Sequence, residues 1–321
     1  MVITLAFFAC ASPIVHTIGN NTDTEQPTEP EPEITPPGAF DFLNFTRAEG
    51  DLIVHFMDVG QGDGIFIEFP DGKRMIMDGG SLIFSPSAYI LSYLSHLTIN
   101  NGVIDYLMLT HADRDHCNGL DAVIKNYTIN SFYVPKLTPS QVDTGSYSDF
   151  YAEMMKETNA QINYNIDILE IIGEGYKLTL YCRSEGFYSM ITPKTDSEIQ
   201  NQISPIAILE YADRKVVFTG DADFSSEDFF MSLAPFDSID CDVLKVGHHG
   251  SKSSTSEAFL EFISPEYAVI SVGAIDIIHP QKQLLDRLKA RNITTMRTDK
   301  NGAVVLRITQ QGDISFVCKK P

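Results

Sequence analysis

The chain has 321 residues, 43% of them hydrophobic, enough for one large α/β domain with a packed core. Its 43 acidic and 23 basic residues give a formal net charge of -20. Such a surface repels phosphate backbones and tells against a processive nuclease on long DNA.

Residues 1–12 are apolar and then turn polar. Ala9-Cys10 reads as a lipoprotein processing site, so 1–12 is expected to be a partial signal or lipoprotein leader. That predicts an extracellular or cell-surface protein whose contact with a membrane is an N-terminal lipid anchor. The alternative is an uncleaved leader on a cytoplasmic protein. Residues 13–45 carry Asp23, Glu25, Glu29, Glu31 and Glu33 among Pro27, Pro30, Pro32, Pro36 and Pro37. This composition forms no core and reads as an acidic, proline-rich linker. The stretch 46–321 reads as one domain. The five cysteines do not spell a disulfide scaffold, and Cys117, Cys182, Cys241 and Cys318 are expected as free thiols.

Within the domain, 52–59 alternates loosely and predicts a strand, 60–64 a tight turn and 65–69 a second strand. A hairpin turn at 70–73 leads to a strand over 74–77 that ends at Asp78-Gly79-Gly80. Asp58, Asp63 and Asp78 are expected either to support a site from behind or to cap turns. A helix is predicted over 88–97, a buried strand over 105–109 and a helix over 119–127, with Asp115 and His116 near its start. Then come a strand at 131–134, a polar loop at 135–148 and a helix at 150–159. Tyr133, Tyr147, Phe150 and Tyr151 are expected either to pack in the core or to stack on a choline-like group or a nucleobase. Strands are predicted at 178–182, 188–192, 206–211, 215–219, 241–246, 267–272, 293–296, 302–308 and 314–317. Helices are predicted at 225–233, 255–262 and 281–290, the second capped by Ser254 or Thr255.

Between the strand at 105–109 and the helix at 119–127 stand His111, Asp113, Asp115 and His116. A buried strand gives such a loop a rigid base. Carboxylates and imidazoles crowded together are undersatisfied when buried alone, and a divalent cation resolves this, since O and N ligands suit zinc, manganese and iron. Two further clusters follow predicted strands in the same way: Gly220-Asp221, and Lys245 with His248-His249-Gly250-Ser251.

Thr110-His111-x-Asp113-x-Asp115-His116-x-x-Gly119 resembles the metal motif of the metallo-beta-lactamase superfamily, with Asp113 where the commoner pattern has a second histidine. Together with Val59-Gly60-Gln61-Gly62-Asp63, Gly220-Asp221, Val243-Leu244-Lys245 and His248-His249-Gly250-Ser251, it makes residues 51–318 resemble the hydrolase domain of the ComEC competence proteins and their free-standing relatives. The resemblance implies an α/β fold, the four-layer αβ/βα sandwich, and a metallo-hydrolase domain over 46–321. Asn201 and Ser204 match a further family position, from which Gln202 departs.

His111 and Asp113 alternate out of the strand end and are expected to face one cation, while Asp115 and His116 approach a second. Asp221 is the expected bridge. One of His248, His249 and His279 is expected to complete the second shell. His248 is taken as that ligand and His249 as the group that protonates a leaving group or binds a phosphate oxygen. His279, after another strand end, is an equal candidate for ligand, is otherwise assigned to the reaction, and has as its alternative a loop histidine before proline. Lys245 is either buried or a point charge for a phosphate in the cleft. Asp115 is assigned to the reaction as well as to the metal. No histidine lies between 117 and 247, so one cation is expected to have an open shell or to use Asn201 or water. The expected cofactor is one or two divalent cations, zinc marginally ahead of manganese. The expected reaction is hydrolysis of a small phosphodiester or cell-surface phosphoester by a cation-activated water. Alternatives are a nuclease on extracellular DNA or RNA, disfavoured by the charge; a lactam or lactone hydrolase, disfavoured by Asp113; and a non-catalytic surface binding protein, disfavoured by the intact ligand set.

Overall fold

The structure, a computed structural model, describes residues 48–80, 86–97, 102–142, 144–195, 197–274 and 276–319. The leader and linker expected over 1–45 lie outside the described residues.

Short runs of apolar residues supply the strands. The first three, β1 (Leu52–Phe56), β2 (Gly64–Glu68) and β3 (Arg74–Gly79), pair antiparallel in sequence order. From there the chain switches to parallel pairing, which needs crossover segments. Helix α1 (Pro86–Ser95) leads to β4 (Val103–Met108), α2 (Arg114–Cys117) and α3 (Leu120–Asn126) to β5 (Thr128–Val134), and α4 (Gly145–Met154) to β6 (Gln161–Tyr164). The second half opens with the hairpin β7 (Ile168–Ile172) and β8 (Tyr176–Tyr181). After α5 (Glu185–Tyr188) and α6 (Ser197–Asn201) comes the hairpin β9 (Ile206–Tyr211) and β10 (Arg214–Phe218). Parallel strands follow: α7 (Phe224–Leu233), β11 (Val243–Lys245), α8 (Glu257–Ile263), β12 (Tyr267–Ile270), α9 (Lys282–Ala290) and β13 (Thr294–Arg297). After α10 (Thr298–Asn301), strands β14 (Val304–Ile308) and β15 (Ile314–Cys318) cross back to the first sheet.

The result is two sheets, ordered β15-β14-β1-β2-β3-β4-β5-β6 and β13-β12-β11-β10-β9-β8-β7. Strand side chains alternate between faces, and that alternation builds the layers. Phe56, Ile67, Met77 and Leu306 of one sheet meet Leu178, Leu209, Phe218 and Val269 of the other in a shared inner core. Phe69 stacks on Tyr176 across the gap, ring centroids 4.2 Å apart. On the outer faces, Ile90, Leu94, Leu120, Val123 and Phe150 pack against the first sheet, and Phe230, Phe259, Leu284 and Leu288 against the second. The layers run helix, sheet, sheet, helix, the four-layer αβ/βα sandwich. No helix among the described residues is long and apolar enough to cross a membrane. Cys117, Cys182, Cys241 and Cys318 are free thiols.

Several local expectations are corrected. The helix predicted at 150–159 is α4, five residues earlier, because the Thr144 hydroxyl caps it by accepting from Tyr147 N at 3.4 Å. Residues 188–192 are not a strand; Tyr188 ends α5, and its buried hydroxyl donates to Asn165 O at 2.5 Å. Strands β6 and β7 were not expected, since both are edge strands without clean alternation. The N-cap of α8 is Ser256, not Ser254 or Thr255, since Thr255 holds a left-handed φ of 55° outside the helix. Tyr147 and Phe150 are core residues, Tyr133 packs against the inner core and Tyr151 against the outer one, so the four aromatics form no stacking platform. Asp115 and His116 sit in their own turn, α2, separated from α3 by Asn118 and Gly119.

The parallel registers Met77 to Met108, and Phe218 to Lys245 to Val269, bring several C-terminal strand ends to one rim. The metal loop lies directly on the end of β3. A Cβ at Gly80 would fall 2.0 Å from Asp115 C and 2.2 Å from His116 N, so the close approach requires glycine there. Gly80→Ala is therefore expected to lower stability by ~1–3 kcal/mol and to reduce bound cation, read by melting curves and elemental analysis. Unchanged values for both would contradict this packing.

Candidate metal centre

His111 follows β4 and His116 lies in α2; both are fully buried, with ring centroids 4.1 Å apart. Asp221 follows β10 of the opposite sheet and is 2% exposed. Its Oδ1 lies 3.1 Å from His116 Nε2. Its Oδ2 lies 3.9 Å from His111 Nε2, 3.7 Å from His248 Nε2 and 3.6 Å from His249 Nε2. Asp113 Oδ2 is 3.7 Å from His111 Nε2, and Asp115 Oδ2 is 3.4 Å from His249 Nε2. Ligand atoms of His111, His116 and Asp221 converge within 4.8 Å of one another, as do those of Asp115, His116 and His249. Asp221 touches both groups.

The outer nitrogen of each buried ring is already engaged. His116 Nδ1 bonds Asp78 Oδ2 at 2.8 Å, and Asp78 in turn accepts from Thr110 N at 2.8 Å and Thr110 Oγ1 at 2.7 Å. His111 Nδ1 lies 3.1 Å from the hydroxyls of both Thr110 and Ser204. Ser204 Oγ also accepts from Asp221 N at 3.2 Å. His249 Nδ1 donates to Ser271 O at 2.9 Å. A carbonyl only accepts, so this bond places the proton of neutral His249 on Nδ1 and the lone pair on Nε2, facing inward.

The residues fit a cation. His116 Nε2, His249 Nε2 and Asp221 Oδ1 are buried without a hydrogen bond. Each orphaned polar atom costs ~1–3 kcal/mol, and cations held by the two converging groups would satisfy them. Imidazole nitrogens with carboxylate oxygens are donors suited to zinc or manganese.

The turn carrying the histidine pair is strained. His248 has φ 48° and ψ 50°, and His249 φ 51° and ψ 20°. Left-handed backbone costs ~1–2 kcal/mol per non-glycine residue. Bonds from His248 N to Gly220 O (3.1 Å), Ser251 N to His248 O (2.8 Å), Ser254 Oγ to Gly247 O (2.7 Å) and Gly247 N to Thr255 Oγ1 (3.3 Å) hold it. Behind it, buried Glu227 accepts from Thr255 N and, at 2.9 Å, from Ser256 N. Burial pushes the Glu227 carboxyl up to about 7 against the pull of those donors.

His111, His116, Asp221 and His249 form the buried floor, and the half-buried Asp113 and Asp115 border it. His249, expected to meet a leaving group, sits among the ligand atoms of Asp115 and His116, where His248 was expected. His248 reaches Asp221 from the more exposed side, its side chain 25% accessible. Two successive left-handed residues aim adjacent rings in different directions, 80° apart. Lys245 does not face the cleft: it is fully buried and paired with Asp63. His279 stays outside the converging groups found among the described residues. Its Nδ1 bonds Asp276 Oδ2 at 2.9 Å, and its ring stacks on His248 at 5.7 Å. Asn201 lines a cavity of about 180 Å³ with Glu198, Asp223, Phe224, His248 and Ser253. Glu227 and Ser271 were missed. For Glu227 a signal existed: it lies three residues before Phe230, on the buried face of α7.

Burial alone would lower the pKa of His249, but Asp221, Asp115 and Asp63 outweigh it and raise it to about 10. His116 also moves well above the usual imidazole range: burial opposes this, and Asp221 and Asp78 prevail. Burial pushes Asp221 up, and His116 and His249 pull it further down, well below the carboxylate range. Without a cation, these imidazoles hold protons that a cation must displace. A raised imidazole pKa stabilises the fold below about 6.5 and loses that contribution as pH climbs through the folded value. Melting temperature of the cation-free protein is expected to fall between about pH 6.5 and 10, while cation affinity rises and calorimetry registers proton release. Affinity independent of pH across that window would contradict the assignment.

The family model described as the metallo-beta-lactamase superfamily matches residues 57–180 and 204–274. The chain is 29% identical over 277 residues to ComE operon protein 3 of Bacillus subtilis, covering 81% of this chain and 33% of that protein. It is 29% identical over 220 residues to Recombination protein 2 of Haemophilus influenzae, covering 68% and 24%. To Competence protein ComA of Neisseria gonorrhoeae it is 24% identical over 272 residues, covering 82% and 33%. The chain thus spans a third or less of the length of these curated relatives. A solved structure of a CmlA beta-hydroxylase mutant shares the fold, with a TM-score of 0.51 at 12% identity, covering 82% of this chain and 55% of that one. The chain belongs to the metallo-beta-lactamase superfamily, and it is similar to a part of each of these competence and recombination proteins.

Proposed function

We propose that the protein is a metal-dependent phosphodiesterase acting on a small phosphodiester or a cell-surface phosphoester. The converging histidine and aspartate groups and the superfamily membership support a metal-dependent hydrolase. The observation that carries the finer reading is Asp221, one buried carboxylate within 4 Å of the Nε2 atoms of His111, His116, His248 and His249. A carboxylate close to the ligand nitrogens of both groups is the arrangement a two-cation site needs.

A bound divalent cation supplies Lewis acidity, which lowers the pKa of water and absorbs charge on a phosphoryl oxygen. The chain's own residues do the rest. His111, His116 and His249 form a buried nitrogen floor held rigid by their outer hydrogen bonds, and that floor favours zinc over manganese. Asp113, Asp115 and His248 are the partly exposed members of the set, so an incoming substrate meets them first. His248 lines the cavity, and burial lowers its pKa against the pull of Asp221, so near neutral pH it is an uncharged hydrogen-bonding ring at the mouth. Among the described residues, the cavity lining contains Glu198 and Asp223 and neither lysine nor arginine. A phosphodiester bound against this lining would have its charge met by the cations, and the described walls offer a long polyanion no cationic side chain. The composition of the leader and linker supports placing this reaction at or beyond the cell surface, with a lipid anchor as the membrane contact.

Purified protein loaded with zinc or manganese is expected to hydrolyse bis(p-nitrophenyl) phosphate, and Asp221→Asn to reduce the rate by at least ~10²-fold. Equal rates for the two proteins would reject the catalytic role of Asp221. A parallel panel of single-stranded DNA, choline phosphoesters and a lactam reads the substrate class.

A further inference from the structure

Lys245 is the last residue of β11, and no part of it reaches solvent. It is absent from the lining of the cavity beside His248. Its Nζ contacts Asp63 Oδ2 and lies 3.4 Å from Gly220 O. Each partner belongs to a different loop of the centre. Asp63 ends the turn after β1; its N donates to Asp115 O at 3.0 Å, and its O accepts from Gly80 N at 3.1 Å. Asp63 Oδ1 lies 3.5 Å from His249 Nδ1 and has no hydrogen bond of its own. Gly220 precedes Asp221, and its carbonyl also accepts from His248 N at 3.1 Å. The main chain of Lys245 joins the same knot, because its carbonyl accepts from Thr219 Oγ1 at 2.8 Å.

We infer that Lys245 is a positioning residue: its buried ion pair with Asp63 ties the metal loop, the Asp221 loop and the paired-histidine turn into one arrangement able to receive a cation. The inference rests on the metal-dependent reading of the site and removes Lys245 from any contact with phosphate. The requirement for a cationic side chain follows from burial. Asp63 is 1% exposed and close to Asp115 and His249. An uncompensated carboxylate there would be costly and would draw the His249 ring away from Ser271 O. The ammonium neutralises Asp63 and holds its carboxylate, leaving Asp115 and Asp221 to face the metal. Lysine suits the position because its slim stem passes through the core and its three donors serve two acceptors at once.

The test compares wild type, Lys245→Met and the charge-neutral pair Asp63→Asn/Lys245→Met, with zinc alone as the probe. Zinc affinity is read by competition with a chromophoric chelator, and folding by near-ultraviolet circular dichroism. The neutral pair leaves no buried charge unpaired and is expected to keep the wild-type spectrum. Both variants are expected to bind zinc at least tenfold more weakly at the weaker site, with an unchanged KM for bis(p-nitrophenyl) phosphate once zinc is saturating. The inference is overturned by wild-type zinc affinity in the neutral pair. A raised KM at undiminished zinc affinity also overturns it, since that is the signature of a phosphate contact. Failure of both variants to fold overturns it too, by making the pair a requirement of the fold rather than of the centre. A wild type that binds zinc but cleaves no phosphodiester removes the proposed substrate, while the zinc comparison still decides this inference.

Discussion

Asp221 Oδ1 lies 3.1 Å from His116 Nε2, and the two residues come from different sheets. That distance depends on the whole sandwich. The β4 end, which carries the metal loop, belongs to the first sheet, and the β10 end, which carries Asp221, to the second. Their separation is set by the inner core, where Phe56 meets Phe218 with ring centroids 6.3 Å apart and Phe69 stacks on Tyr176. Close packing transmits small volume changes, so the apolar layer between the sheets also gauges the centre above it. The site belongs to neither half of the chain alone.

A second constraint governs each ring. The outward nitrogen of His111, His116 and His249 is committed to hydroxyls, a carboxylate or a carbonyl, while the inward nitrogens of His116 and His249 have no hydrogen bond. Outer partners of this kind fix ring orientation and tautomer, and their loss typically costs ~10–100-fold in metal affinity or activity. Left-handed backbone at His248 and His249 has a similar purpose. It presents two neighbouring rings to one carboxylate oxygen, at 3.7 and 3.6 Å. Strain of this kind persists where surrounding bonds over-determine it, and here the Gly220, Ser254, Thr255 and Glu227 contacts supply that support.

What was legible in the sequence was mostly local. His111, Asp113, Asp115 and His116 fall in one short loop after an apolar strand, so proximity in sequence stood in for proximity in space. Asp221 was legible because it directly follows a strand. Asp63 and Asp78 were ambiguous: an aspartate in a glycine-rich turn looks the same whether it caps the turn or reaches Lys245 or Thr110, far along the chain. The choice between His248 and His249 turns on backbone handedness, which spacing does not encode. Lys245 ends an apolar strand either way, and only the fold places Asp63 over it. Strands β6 and β7 were missed because edge strands need no clean alternation. Residues 188–192 were misread because a buried tyrosine serves a short helix as well as a strand.

The proposed centre has strand ends from both sheets holding cations through a shared Asp221. The most direct measurement is anomalous scattering from crystals of the full domain soaked in manganese. Two peaks ~3.5–4 Å apart are expected, both ligated by Asp221, one also by His111 and the other by Asp115, His116 and His249. A cation bound without Asp221, or one held by residues of a single sheet, would contradict it.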